Sequence, residues 1–244
     1  YHFIDKLAAI KKIHNPENIN DIKQAKLKLI YEELFLFMLK INFLKLKNDK
    51  ILGLSRTFDK EKVNEFINNL PFELTNAQKN AVKEIITDLN SEKPMQRLLQ
   101  GDVGSGKTIV ATYAIYLNYL SGYQSALMAP TEILATQHFE QLTDFSAKYH
   151  LPIKPVLLTG SVSAKNKRDI YAKIETGVYN VIIGTHALIQ EKVNYKNLAL
   201  VITDEQHRFG VMQRESFSKK GNASHILVMS ATPIPRSLAI ILYG

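Results

Sequence analysis

Apolar positions along this chain follow two different rhythms. Up to about residue 70 they recur at intervals of three and four, as in Ala25, Leu29, Leu36, Leu39 and Phe43, the spacing of one helix face. Asn20 or Asp21 is the expected cap, because a short side-chain oxygen can accept from the first free backbone N–H groups. A second, short helix is expected from Asp59 to just before Pro71. The stripe is wider than a solvent-facing helix requires. A linker joining an upstream domain to the rest of the chain therefore accounts for it better than a simple helical cap. From residue 72 the rhythm changes. Short β-rich apolar runs at 97–100, 125–128, 155–158, 180–183, 198–203 and 225–229 alternate with helical segments. Such runs, separated by helices, predict an α/β fold with a mainly parallel sheet buried on both faces. The expected organisation is a helical region over 1–70 and a sheet-bearing lobe over 71–244.

That order has a consequence for chemistry. Each run is followed by a polar, Gly- or Thr-containing segment. In a parallel sheet the segments after the strands collect at one edge, where ligands bind. The motifs should share a cleft.

Composition adds only a few constraints. The 244 residues carry a formal net charge of +8. That excess suits a polyanionic partner, though a lysine-rich solvated surface accounts for it equally. There is no Cys, which excludes a disulfide framework and a Cys-based zinc site and fits a reducing cytoplasm. The greasy stretch Leu34-Phe35-Leu36-Phe37-Met38-Leu39 is far shorter than the ~20 apolar residues of a membrane span. The start lacks a signal-peptide pattern. It also lacks Met, so the chain is expected to be a piece of something longer.

The strongest chemical signal is Gly101-Asp102-Val103-Gly104-Ser105-Gly106-Lys107-Thr108. It fits G-x-x-x-x-G-K-[ST] and lies between a predicted strand and a predicted helix, the context that motif requires. Glycines let backbone N–H groups close around phosphate oxygens. The helix from Lys107 onward adds its positive end. Lys107 is expected to reach the β- and γ-phosphates of ATP, and Thr108 to give a hydroxyl to Mg²⁺. Asp204 and Glu205 close the run 198–203. There the first acid is assigned to the metal and the second to the base that orients the attacking water. Without the phosphate loop the pair would read as a solvated turn. Upstream, the Gln78 amide suits an adenine edge because it donates and accepts at once. Thr75 reads as the cap of the helix carrying Gln78; spacing alone favours the cap, and both roles are compatible.

The set of motifs resembles the superfamily 2 helicases and translocases. Residues 101–108 resemble their motif I, Asp204-Glu205-Gln206-His207 motif II (the DExH box), Ser230-Ala231-Thr232 motif III, and Ala129-Pro130-Thr131-Glu132 motif Ia. With Phe209-Gly210-Val211 and Pro233-Ile234-Pro235-Arg236 added, the pattern is similar to bacterial ATP-dependent DNA helicases that remodel stalled forks. The likeness covers essentially the whole chain, most specifically residues 70–244. It implies a RecA-like P-loop lobe preceded by linker helices. It adds Phe72, with Thr75 and Gln78, to the nucleotide-binding residues. It implies that Ser230 and Thr232 couple hydrolysis to movement, and that His207 links them to the ATP site. Pro130, Thr131, Gly160, Thr185 and His186 fall in segments resembling strand-contacting motifs, although Gly160-Ser161 and Gly184-Thr185 also read as plain turns. Lys165, Lys167 and Arg168 read as a phosphate-facing patch or, more simply, a solvated helix face.

The resemblance implies activity on forks and Holliday junctions in recombination and repair, in the cytoplasm, by a monomer with single-stranded DNA-binding protein as a further partner. It also implies a wedge domain upstream and a second lobe downstream with an arginine finger. This piece alone should then hydrolyse ATP weakly, since such an arginine is worth ~10³–10⁵ in rate. The transcription-repair coupling factor has a similar motor but typically a second acid where this chain has Gln206. An RNA helicase of the same superfamily is a second alternative, and a nucleotide-binding module without motor activity a third.

Overall fold

Asp5 opens the first helix. Its carboxylate accepts from the backbone N–H of Leu7 at 2.9 Å and of Ala8 at 3.4 Å, and α1 runs Lys6–His14. A computed structural model describes residues 3–48, 61, 72–204, 220 and 225–231. These fall into two compact units, one within the first 50 residues and one beyond.

In the first unit α1 packs on α2, Ile19–Asn48. The sequence expectation for the cap of α2 needs correcting. Asn18 does the capping, its Oδ1 accepting from Asp21 N–H at 3.0 Å, so Asn20 and Asp21 lie inside the first turn. The backbone leaves coil earlier than the apolar stripe suggests because Asn18 satisfies the N–H three residues on. Asp21 instead fastens the two helices, accepting from Lys12 Nζ at 2.6 Å and from Glu17 N–H at 3.3 Å. The Lys12 hydrogen bond, opposed by burial, holds the Asp21 carboxyl below its ordinary range. Of the predicted stripe, Ala25 is buried and Leu29 half-buried, whereas Leu36, Leu39 and Phe43 are exposed. The helix expected from Asp59 to Pro71 lies outside the described residues apart from Glu61, which is helical.

Among its described residues the second unit has six strands: β1 (Gln96–Gln100), β2 (Gln124–Met128), β3 (Pro155–Leu158), β4 (Val181–Gly184), β5 (Leu198–Asp204) and β6 (His225–Ser230). Their order is β1-β6-β5-β2-β4-β3, and every pairing is parallel. Alternate residues of the central strands enter two separate cores. Leu127, Ile183, Leu200 and Ile202 join one, Ala126, Met128, Ile182 and Val201 the other. The first core is covered by α3 (Asn76–Leu89), α4 (Lys107–Leu120) and α5 (Glu132–Lys148), the second by α6 (Ala164–Glu175) and a short 3₁₀ helix at His186–Ile189. Helices on both faces of a parallel sheet are the arrangement that the continuous apolar runs predict.

Residues 110–118 of α4 are all buried. A helix that is covered all round is a core helix, so the element carrying Lys107 and Thr108 at its start is rigidly seated. At the opposite edge of the sheet the Gln124 amide is fully satisfied. Nε2 donates to the carbonyls of Ile174 (2.9 Å) and Tyr179 (2.7 Å), and Oε1 accepts from Lys196 N (2.8 Å) and Asn197 N (3.2 Å). This node anchors the segments entering β4 and β5 to β2. Among the described residues no helix is long and apolar enough to cross a membrane.

Candidate functional site

Because all six strands are parallel, their C-terminal ends lie along one edge. The structure brings there the phosphate loop after β1, Ala129-Pro130-Thr131 after β2, Thr159-Gly160-Ser161 after β3, Thr185-His186 after β4, Asp204 at the end of β5 and Ser230 at the end of β6. Two backbone bonds stitch neighbouring segments together. Gly101 N–H donates to the Ser230 carbonyl at 3.2 Å, and Ala129 N–H to the Gly184 carbonyl at 2.8 Å. Segments resembling motifs I and III are thus directly bonded, and so are those carrying Ala129 and Thr185.

The phosphate loop owes its shape to glycine at particular points. Gly104 and Gly106 hold φ of 83° and 80°, the left-handed region that L side chains avoid. Gly106 has a second reason, since a Cβ there would stand 2.3 Å from Gln78 Nε2. Ser105 N–H closes the turn onto the Asp102 carbonyl at 3.1 Å. Lys107 curls back over the loop, its ammonium donating to the carbonyls of Gly101 at 2.7 Å and Asp102 at 2.8 Å. Val103 at the tip is open to solvent.

Gln78 meets the loop from α3. Thr75 Oγ1 accepts from Gln78 N–H (3.3 Å), and Gln78 Oε1 accepts from Thr75 N–H (2.9 Å), a reciprocal capping box. Gln78 Nε2 then donates to the Ser105 carbonyl at 3.0 Å. The cap favoured by spacing is present, and the same amide also touches the phosphate loop, a link that spacing could not reveal. Phe72 stands exposed at the start of this segment.

Asp204 ends β5, its side chain largely covered. Its Oδ2 lies 2.7 Å from His138 Nε2 on α5, a partner that no motif in the sequence announces. Among the described residues no cluster of three or more acidic or imidazole groups could hold a metal by itself. The donors expected for Mg²⁺ are one hydroxyl, Thr108, and one carboxylate, Asp204. That set fits an ion which keeps much of its water and takes its remaining ligands from phosphates. Glu205, His207 and Thr232 lie outside the described residues.

The strand-edge loops are braced by side chains. Thr131 caps α5 by accepting from Leu134 N–H at 3.3 Å. Glu132 Oε1 accepts from Ser161 N–H at 3.2 Å, and Lys167 Nζ donates to the Gly160 carbonyl at 2.9 Å. Lys167 therefore has a structural partner and is not simply part of a free basic patch. Gly184 is required by the sheet, because a Cβ there would lie 2.0 Å from the Leu158 carbonyl oxygen. Thr185 is partly covered and His186 exposed.

The family model for DEAD/DEAH box helicases matches residues 75–241. Among curated proteins, the chain is 47% identical over 245 residues to the ATP-dependent DNA helicase RecG of Bacillus subtilis (strain 168), spanning 100% of this chain and 36% of that protein. It is 49% identical over 232 residues to that of Thermotoga maritima, spanning 95% and 30%. Among solved structures, RecG bound to a three-way DNA junction superposes with a TM-score of 0.79 at 46% identity, over 97% of this chain and 31% of that one. The chain thus spans about a third of the length of the curated relatives it matches.

Proposed function

The chain belongs to the DEAD/DEAH box helicase family, and from its site we propose that it is the first, ATP-binding motor lobe of a DNA helicase acting on branched DNA. Stalled forks and Holliday junctions in recombination and repair are the proposed substrates. The observation that carries this reading is the bonded edge: a phosphate loop tied to the Ser230 strand, whose other neighbour is the strand that ends at Asp204. Near-half identity to RecG proteins along the whole chain supports the choice of DNA. So does the likeness to a RecG structure on a three-way junction.

On this reading residues 71–244 form the RecA-like lobe and residues 1–70 a linker. Lys107 leaves the carbonyls of Gly101 and Asp102 to meet the β- and γ-phosphates of ATP, a compact cation with several donors. Loop N–H groups and the start of α4 hold the remaining phosphate charge. Thr108 and Asp204 would hold Mg²⁺, which when bound neutralises charge on the transferring phosphate. Glu205 orients water. Ser230 and Thr232 couple hydrolysis to movement and His207 links them to the ATP site, a role that the bond from Gly101 N–H to the Ser230 carbonyl supports. Pro130, Thr131, Gly160, Thr185 and His186 form the DNA-facing row, where backbone and small polar groups suit phosphate contact. The protein is proposed to work in the cytoplasm as a monomer, with single-stranded DNA-binding protein as a partner.

The test uses the protein that carries this chain. Forked DNA should stimulate its ATP hydrolysis more than single-stranded RNA does, and K107A should abolish fork unwinding. Equal stimulation by RNA would move the proposal to an RNA helicase. Unwinding by K107A would end the motor reading.

A further inference from the structure

α5 leaves the loop after β2 at Thr131 and passes beside the end of β5. His138, in its second turn, meets Asp204 there, with Nε2 and Oδ2 2.7 Å apart. A carboxylate only accepts, so the ring donates from Nε2. Both side chains are largely covered, 11% and 16% exposed. The other ring nitrogen, Nδ1, is buried with no hydrogen-bond partner among the described residues. Burying an unmatched polar nitrogen costs free energy, so packing of the ring for its own sake does not explain its place. Its polar engagement is with Asp204, and among the described residues no other side chain bonds that carboxylate.

We propose that His138 is the positioning residue of Asp204: by holding Oδ2 it fixes the carboxylate's orientation and leaves the second oxygen for Mg²⁺-bound nucleotide. This rests on the reading of Asp204 as the metal carboxylate. Carboxylates that ligate metals are themselves held by hydrogen bonds, and loss of such a partner typically lowers metal affinity about 10–100-fold. The bond crosses 66 residues of sequence, from the helix that starts at the Thr131 cap to the strand that ends at Asp204. Two elements thus set one oxygen.

The probe is mant-ADP, and the readout is how its affinity for the protein changes as Mg²⁺ is titrated. H138F keeps a flat ring and removes the donor. It should shift the Mg²⁺ midpoint upward by roughly tenfold. H138Q places an amide N–H near the former Nε2 and should return the midpoint to within about threefold of the parent. D204N should erase the Mg²⁺ dependence. If D204N keeps that dependence, the metal reading of Asp204 falls and this inference with it. If D204N loses it while H138F titrates like the parent, the inference alone falls. An H138Q variant as impaired as H138F also overturns it, because packing rather than the bond would then be at work. Should H138F fail to fold in a thermal melt, H138A compared with H138Q carries the same test.

Discussion

Gln78 donates from Nε2 to the Ser105 carbonyl at 3.0 Å while its Oε1 accepts from Thr75 N–H at 2.9 Å. One amide therefore starts a helix and steadies the phosphate loop, and the two duties are separable. Q78E keeps an oxygen for the Thr75 N–H but sets a second acceptor against Ser105. It should retain the stability of the cap and weaken nucleotide binding by roughly tenfold, the loss of about one good hydrogen bond. Q78A should lose both, with about 1 kcal/mol of stability in addition. Denaturant unfolding beside mant-ADP binding resolves the pair. Equal nucleotide affinity in all three proteins would show that the Ser105 bond is idle.

Gly106 should tolerate no side chain. Its φ of 80° and the 2.3 Å approach of a Cβ to Gln78 Nε2 act in the same direction. G106A is expected to cost about 1–2 kcal/mol through the left-handed backbone and to displace the Gln78 amide. A nucleotide titration should show binding reduced at least as far as in Q78E; a variant that binds like the parent would refute the geometry.

Glu132 holds the turn after β3 by accepting from Ser161 N–H at 3.2 Å. E132A should release that turn and weaken forked-DNA binding about fivefold, some 1 kcal/mol. Nucleotide affinity should stay at the parent value. Fluorescence anisotropy at fixed salt measures the first and mant-ADP the second. Unchanged DNA affinity would take Gly160 off the DNA-facing row.

Gly184 is a different case. A Cβ at 2.0 Å from the Leu158 carbonyl oxygen meets backbone, which cannot swing aside. G184A should force β3 from β4 and lower stability by about 3 kcal/mol. Urea unfolding would show it. A small effect would mean that the strands can separate without loss.

Tyr113 makes the fold sensitive to alkali. Burial pushes its hydroxyl up to about 12, above the ordinary value near ~10. The folded state therefore holds the proton more tightly than the unfolded one. The stability this contributes is complete below pH ~10 and is lost as pH rises through about 12. Thermal melts across that window should show a falling Tm, and Y113F should flatten the fall. An equal slope in both proteins would assign alkaline unfolding to other groups.

The strands were legible because parallel, doubly covered strands appear as unbroken apolar runs; the structure moves them by about a residue at most. Asn180 illustrates the margin. It reads as the start of β4, yet its Oδ1 accepts from Lys154 N–H at 2.7 Å and the strand begins at Val181. The phosphate loop was legible because its glycines and lysine are required in a fixed order. Pairings across the fold were not. His138 with Asp204 and Glu132 with Ser161 bring together residues whose separation follows no helical or strand period, so no local pattern records them. The cap of α2 was missed because Asn18, Asn20 and Asp21 are all competent caps, and only backbone geometry chooses among them. The relation of Glu205, His207 and Thr232 to this edge lies outside the described residues.

Among the described residues β1 is an edge strand, and its neighbour in the sheet is β6. Met95, just before β1, donates its N–H to His225 Nδ1 across 130 residues at 2.9 Å, and Ile226 N–H returns a bond to the Met95 carbonyl at 2.7 Å. A contact of that separation must wait for a long loop to close, and long-range parallel pairing is slow. During synthesis the phosphate loop leaves the ribosome more than a hundred residues before β6, yet the strand that bears it has no described partner in the sheet until His225 to Ser230 have been made. Competence to grip nucleotide should therefore arrive late and all at once.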